Sequence, residues 1–132
     1  MSAAYEPVRK LSAVDAVETF DCGHPALNQF IQRYALVNQK ANSAQTYVCC
    51  LHNEVVGFYS LAVGSVDPED APARAVKGLA RHPVPVMILA RLAVDRDHQG
   101  KGLGMALLKD ALLRTAQAAD IAGIRCLLVH AK

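Results

Sequence analysis

VPVMILARLAVDRDHQGKGLGMALLKDALLRTAQAA, Val84 to Ala119, decides how this chain folds. The apolar run Val84 to Val94 reads as a strand buried on both faces and interrupted only by Arg91. A polar turn comes next, Asp95 to Gln99, and then glycines at alternate positions, Gly100, Gly102 and Gly104. From Gly102 to about Ala119 the spacing is helical. Leu103, Ala106, Leu107 and Ala111 form an apolar stripe, with Lys109, Asp110, Arg114 and Gln117 outside it. A strand that feeds a glycine-rich turn into a helix is suited to holding phosphate. The N–H groups of a helix's first turn have no internal partner, and the helix dipole favours negative charge there. Glycine lets ligand and backbone approach closely because no Cβ intervenes.

Outward from this stretch, the pattern is that of one α/β domain spanning residues 1–132. Pro7 to Leu11 reads as a short first strand. Phe20 to Pro25 is a turn that starts a helix, since proline is tolerated in a first turn. Ala26 to Gln39 is helical, with Leu27, Phe30, Ile31, Tyr34 and Leu36 or Val37 facing a core. Thr46 to Leu51 and Val55 to Val66 form a hairpin about a tight turn at His52-Asn53-Glu54, and Gly57 and Gly64 mark bulges or bends in its second arm. Asp67 to Ala73 is a loop, and Ala73 to Leu79 a short helix or irregular segment. Gly123 ends the long helix, and Arg125 to Val129 is a last buried strand, parallel to the central one if the helix is its crossover.

The 132 residues suffice for one core, and 52% hydrophobic with 20% charged residues is the balance of a soluble protein. No apolar run reaches the roughly 18 residues of a membrane span, and the N-terminus lacks the apolar core of a signal peptide. A cytoplasmic protein without membrane contact is expected. Cys22, Cys49, Cys50 and Cys126 show no metal-ligand spacing, so reduced thiols and no metal are expected. The net charge is only +2, yet Cys22 to Asn53 and Ala71 to Val94 contain no acid. Such segregation can build a basic face for an anionic partner.

The phosphate motif can be narrowed by spacing. The chain has no P-loop, and Met105 stands where a dinucleotide fingerprint needs its last glycine. What fits is Gln99-Gly100-Lys101-Gly102-Leu103-Gly104, preceded by Leu92-Ala93-Val94-Asp95 and followed by an apolar helix. This resembles the acyl-CoA motif of the GNAT N-acetyltransferases. The resemblance implies a mixed, mostly antiparallel sheet flanked by helices, with acetyl-CoA as co-substrate. It implies that Gln99, Gly100, Lys101, Gly102, Leu103 and Gly104 hold the pyrophosphate. Leu92, Ala93 and Val94 would bond the pantetheine arm through their main chains, and the Val94 N–H would polarise the thioester carbonyl. His98 lies in the same loop, within reach of phosphate.

A narrower resemblance covers nearly the whole chain. Phe20-Asp21-Cys22-Gly23, Leu27-Asn28-Gln29-Phe30, Asn38-Gln39-Lys40, Thr46-Tyr47-Val48, Gly57-Phe58-Tyr59-Ser60-Leu61 and Leu89-Ala90-Arg91-Leu92-Ala93-Val94 are similar to the acetyltransferase toxins of bacterial toxin–antitoxin pairs. These toxins acetylate the α-amino group of aminoacyl-tRNA and block translation. The resemblance implies a ribbon-helix-helix antitoxin as partner, contact with operator DNA only through that antitoxin, and a homodimer. Arg33, Lys40, Arg74, Lys77, Arg81 and Arg91 are then the candidates for the RNA backbone; Arg91, within a strand, is alternatively a paired residue or a contact to CoA phosphate. In these toxins the general acid is a tyrosine in a segment after the last strand found here, so it is expected beyond Lys132, with the C-terminal strands. Tyr5, Tyr34, Tyr47 and Tyr59 do not match it, no catalytic side chain is carried over, and weak turnover is expected of residues 1–132 alone. Two alternatives stay open: an acetyltransferase for a small amine or protein N-terminus, and a CoA-binding or antitoxin-binding module without activity.

Overall fold

A computed structural model describes residues 5–67, 69, 83–124 and 126–129. Its sheet has five strands in chain order: β1 (Arg9–Lys10), β2 (Gln45–Leu51), β3 (Glu54–Val66), β4 (Val84–Val94) and β5 (Leu127–Val129). Pairs β1 to β4 are antiparallel, and β5 is parallel to β4. The crossover between β4 and β5 is α3 (Leu103–Ala122), which packs on one face of the sheet. On the other face a continuous helical path runs through α1 (Pro25–Gln29), a π turn (Phe30–Tyr34) and α2 (Ala35–Lys40).

The period-2 alternation of the strands divides the core between these two layers. Val48, Cys50, Val55 and Phe58 face α1 and α2, where Phe58 meets Phe20 and Phe30 with ring centroids 5.3 and 6.0 Å away. Cys49, Val56, Tyr59, Leu61, Met87 and Leu89 face α3 and pack on Leu103, Leu107 and Ala111. His52 and Asn53 both have left-handed φ, 52° and 66°, which suits a two-residue hairpin turn. Gly123, at φ 70°, caps α3, donating its N–H to Ala119 O at 3.1 Å.

Several boundaries differ from the sequence expectation. In the first strand Arg9–Lys10 form the ladder with β2, and the Leu11 and Glu6 N–H groups extend it with bonds to Thr46 O and Cys50 O, each at 2.9 Å. The long helix continues to Ala122, because nothing before Gly123 breaks it. Tyr34 does not face the core, being 50% exposed, and of Leu36 and Val37 it is Leu36 that packs on it, Val37 being 61% exposed. The cause is the π turn, in which Ala35 donates its N–H to Phe30 O, five residues back. The extra residue rotates the remainder of the helix about its axis, so Ala35 is buried in place of Tyr34. Gly57 adjoins a bulge at Val56, and it also admits α3: a Cβ there would lie 3.0 Å from Leu107 Cδ1. The segment Ala73 to Leu79 lies outside the described residues. Among the described residues no helix is long and apolar enough to cross a membrane.

Candidate active site

The site is built where β4 stops having two neighbours. The register between β3 and β4 shifts between Ser60 and Leu61, so that Ser60 pairs with Arg91 and Leu61 with Leu89, leaving Ala90 as an extra residue. This bulge reverses which side chains face which layer. Leu89 faces α3, and after Ala90 it is Leu92 and Val94 that do so, while Ala93 joins the α1 and α2 layer.

The backbone obeys the same logic. The Asp95 N–H donates to Val56 O at 2.8 Å, which sets the antiparallel ladder so that Ala93 and Arg91 bond β3. The N–H and C=O of Leu92 and Val94 therefore turn to the side where β5 runs. There β5 pairs only with Met87, Ile88 and Leu89, so among the described residues this stretch of edge has no strand beside it. Gln99 Nε2 donates to the Val94 carbonyl at 2.9 Å. Among the described residues the Val94 N–H and both Leu92 groups have no strand beside them. Beside them lies a cleft of about 640 Å³ lined by Leu89 to Leu92, Val129, and His24, Ala26 and Leu27 at the start of α1.

The turn after β4 is held by its own side chains. The nearly buried Asp95 carboxylate accepts the N–H groups of Asp97 and Asp21, each at 3.0 Å, and so starts the short turn Arg96–His98. Asp21 is itself tied to the Gly23 N–H and the Asn28 amide, which hold its carboxyl below the usual range; Arg96, at 3.2 Å, adds to this. Gln99 Nε2 also reaches Cys22 O at 3.2 Å, joining the end of β4 to the entry of α1. His98 Nδ1 is 3.0 Å from the Tyr5 hydroxyl. Gly100 and Gly102 have φ of 77° and 83°, left-handed conformations that disfavour any side chain. Gly102 is the N-cap of α3 and offers no side-chain cap; its carbonyl accepts from the Ala106 N–H at 3.1 Å. The N–H groups from Leu103 to Met105 thus have no capping side chain, and exposed Lys101 stands beside them. An uncapped helix start next to an open strand edge and an apolar cleft fits a long ligand with phosphate at one end and an amide-rich arm.

The residues assigned to acyl-CoA from the sequence therefore come together, although Ala93 spends its backbone on β3. The assigned basic residues do not form one group. Arg33 and Lys40 are exposed on the π turn and α2. Arg91 lines the cleft, its guanidinium 3.9 Å from the centre of the Phe30 ring. Arg74, Lys77 and Arg81 lie outside the described residues. Sequence reading missed the contribution of His24, Ala26 and Leu27 to the cleft. It also missed a network in the α3 layer: the Tyr59 hydroxyl donates to Asp110, which Arg114 Nε binds at 2.8 Å, and Arg114 covers the Tyr47 ring and donates to Val8 O. Burial, reinforced by Asp110, pushes the Tyr59 phenol far above its ordinary value. The only hint in sequence is the i,i+4 spacing of Asp110 and Arg114.

Comparison with known proteins gives this geometry its context. Residues 8–131 match the acetyltransferase (GNAT) family. Over 129 residues the chain is 46% identical to the tRNA-acetylating toxin of Mycobacterium tuberculosis, covering 98% of this chain and 77% of that one. It is similar to AtaT complexed with acetyl-methionyl-tRNAfMet, with a TM-score of 0.87 and 27% identity over 97% of this chain and 78% of that one. It is also similar to a mutant of AtaT bound to the C-terminus of the antitoxin AtaR and acetyl-CoA, with a TM-score of 0.80 and 28% identity over 96% and 75% of the two chains. With a match over nearly its whole length and the glycine turn, open edge and cleft in place, the chain belongs to the acetyltransferase (GNAT) family.

Proposed function

We propose that this chain is an acetyl-CoA-dependent N-acetyltransferase that acts on the α-amino group of aminoacyl-tRNA, blocks translation, and is neutralised by an antitoxin. The observation that carries the reading is the uncapped start of α3 standing beside the unpaired edge of β4. The 46% identity to a tRNA-acetylating toxin supports the acceptor.

Acetyl-CoA supplies the acetyl group as an activated thioester. The N–H groups from Gly102 to Met105, with Gln99, Gly100 and Lys101 shaping the turn, bind the pyrophosphate. Leu92 bonds the pantetheine arm as an added strand, and the Val94 N–H donates to the thioester oxygen as negative charge develops there. The α-amine attacks the thioester carbonyl from the cleft as the neutral base; the C–S bond then breaks, and CoA leaves as the thiolate and takes up the proton that the new amide loses, with no covalent intermediate on the protein. Arg33 and Lys40, together with Arg74, Lys77 and Arg81, contact the RNA backbone. The antitoxin is of the ribbon-helix-helix class and carries the pair to operator DNA. The working form is a homodimer in the cytoplasm, where aminoacyl-tRNA is found.

The test incubates the protein with acetyl-CoA and a charged tRNA pool, then reads N-acetylated aminoacyl-adenosine by mass spectrometry after nuclease digestion. Acetylation of one or a few aminoacyl species is expected, abolished by the antitoxin. Acetyl-CoA binding accompanied by acetylation of free amines alone would assign the chain to a small-molecule acetyltransferase instead.

A further inference from the structure

We propose that Arg91 selects the acceptor by charge, so that the cleft accepts aminoacyl groups with neutral or anionic side chains and rejects lysyl and arginyl groups. This rests on the proposed function and names the substrate class of the same site.

Among the described residues lining the cleft, Arg91 carries the one permanent charge and no carboxylate is present; His24 is the other titratable group, and the rest are apolar. The ion-paired arginines are occupied elsewhere: Arg9 with Asp15, Arg96 with Asp21, Arg114 with Asp110. Arg91 has no carboxylate partner among the described residues. A guanidinium cannot shed its proton to escape this. It is also held in place. The bulge at Ala90 directs Arg91 to the α1 and α2 layer, and the Phe30 ring lies flat against its charge at 3.9 Å. Phe30 is itself 3% exposed and stacked on Phe58, so the platform is part of the core.

A fixed cation in a cleft walled by protein acts over several ångströms with little screening. A second cation brought beside it is opposed by about one to two orders of magnitude in affinity. The same field disfavours the ammonium form of the α-amine, which must be neutral to attack. Contact with an RNA phosphate, the role its residue type first suggests, would instead make Arg91 indifferent to the amino acid.

The experiment uses conjugates in which the CoA sulfur is joined through an acetyl bridge to the α-amine of an aminoacyl-3′-amino-adenosine. The acceptor half then contains no phosphate. Norleucine and lysine conjugates differ by the side-chain ammonium, and binding is measured by calorimetry at pH 8. The full chain is expected to bind the norleucine conjugate at least tenfold tighter than the lysine one. Arg91→Met should reduce that ratio below threefold, and Arg91→Lys, which keeps the charge, should retain most of it. Because the readout is a ratio, a loss common to both conjugates cancels. Equal binding of both by the wild type, or an unchanged ratio in Arg91→Met, overturns the proposal. Failure of CoA itself to bind overturns the underlying function; CoA binding without discrimination overturns the charge selection alone.

Discussion

Two glycines separated by one residue should respond to the same substitution with opposite sign. Gly102 has φ 83°, and a Cβ there meets no atom within 4 Å, so its requirement is conformational. A left-handed alanine costs about 1–2 kcal/mol, partly offset by about 0.4–1 kcal/mol from a less flexible unfolded chain. Gly102→Ala should therefore lose about 1 kcal/mol. Gly104 lies inside the first turn of α3, and a Cβ there meets only Val94 Cγ2 at an ordinary 3.8 Å. Alanine in a helix is favoured over glycine by about 0.5–1 kcal/mol, so Gly104→Ala should gain that amount. Urea unfolding followed by circular dichroism would show midpoints displaced in opposite directions at equal m-value. Calorimetry with acetyl-CoA should show at least a tenfold loss for Gly102→Ala, because strain there re-aims the first-turn N–H groups, and a change within threefold for Gly104→Ala. Equal destabilisation by both substitutions would refute the reasoning, as would wild-type stability and binding in Gly102→Ala.

Gln99→Glu should cost about 1–2 kcal/mol, since a carboxylate would face the Val94 and Cys22 carbonyls that the amide now binds; urea midpoints measure it, and full stability would mean the tie is dispensable. Arg9 at 2.7 Å, aided by the Ser12 N–H, holds the Asp15 carboxyl below the usual range. A depressed value contributes stability that is present above about pH 4 and is lost as pH falls through the folded value, so Asp15→Asn should flatten the acid limb of the stability curve and converge with the wild type at its low end. Burial, with Cys50 and Glu6 nearby, pushes the Cys49 thiol up to about 11. Mass spectrometry after iodoacetamide at pH 8 should find the partly exposed Cys126 alkylated first and Cys49 only after denaturation. Tyr59→Phe removes the donor to Asp110 and should cost about 1–2 kcal/mol, read from the same urea transition, while acetyl-CoA affinity stays within threefold.

The parts of the fold legible in sequence are those written as periodicity or as backbone exceptions. Val84 to Val94 is too continuously apolar to be anything but a buried strand, and Gly100 and Gly102 do occupy left-handed positions. The features that escaped reading are single-residue phase shifts. The π turn moved Tyr34 outward, and the bulge at Ala90 placed Arg91 in the cleft; neither carries a compositional mark. Contacts between distant segments were equally silent. Gln99 and Cys22 meet across 77 positions, and His24 reaches the cleft only because the start of α1 lies across it from Leu89 to Leu92. Propensity describes a residue's neighbours along the chain and holds nothing about such meetings.

The extra residue at Ala90 works as a change of reading frame within one strand. Upstream of it the two layers read β4 in one register; downstream each reads the alternate residues. Removing Ala90 would set Leu89 and Arg91 side by side opposite Leu61 and Ser60, so every side chain would keep its layer and only the bulge would be lost. An insertion of one residue into the regular part of β4 would do the opposite, exchanging the contents of core and site beyond it.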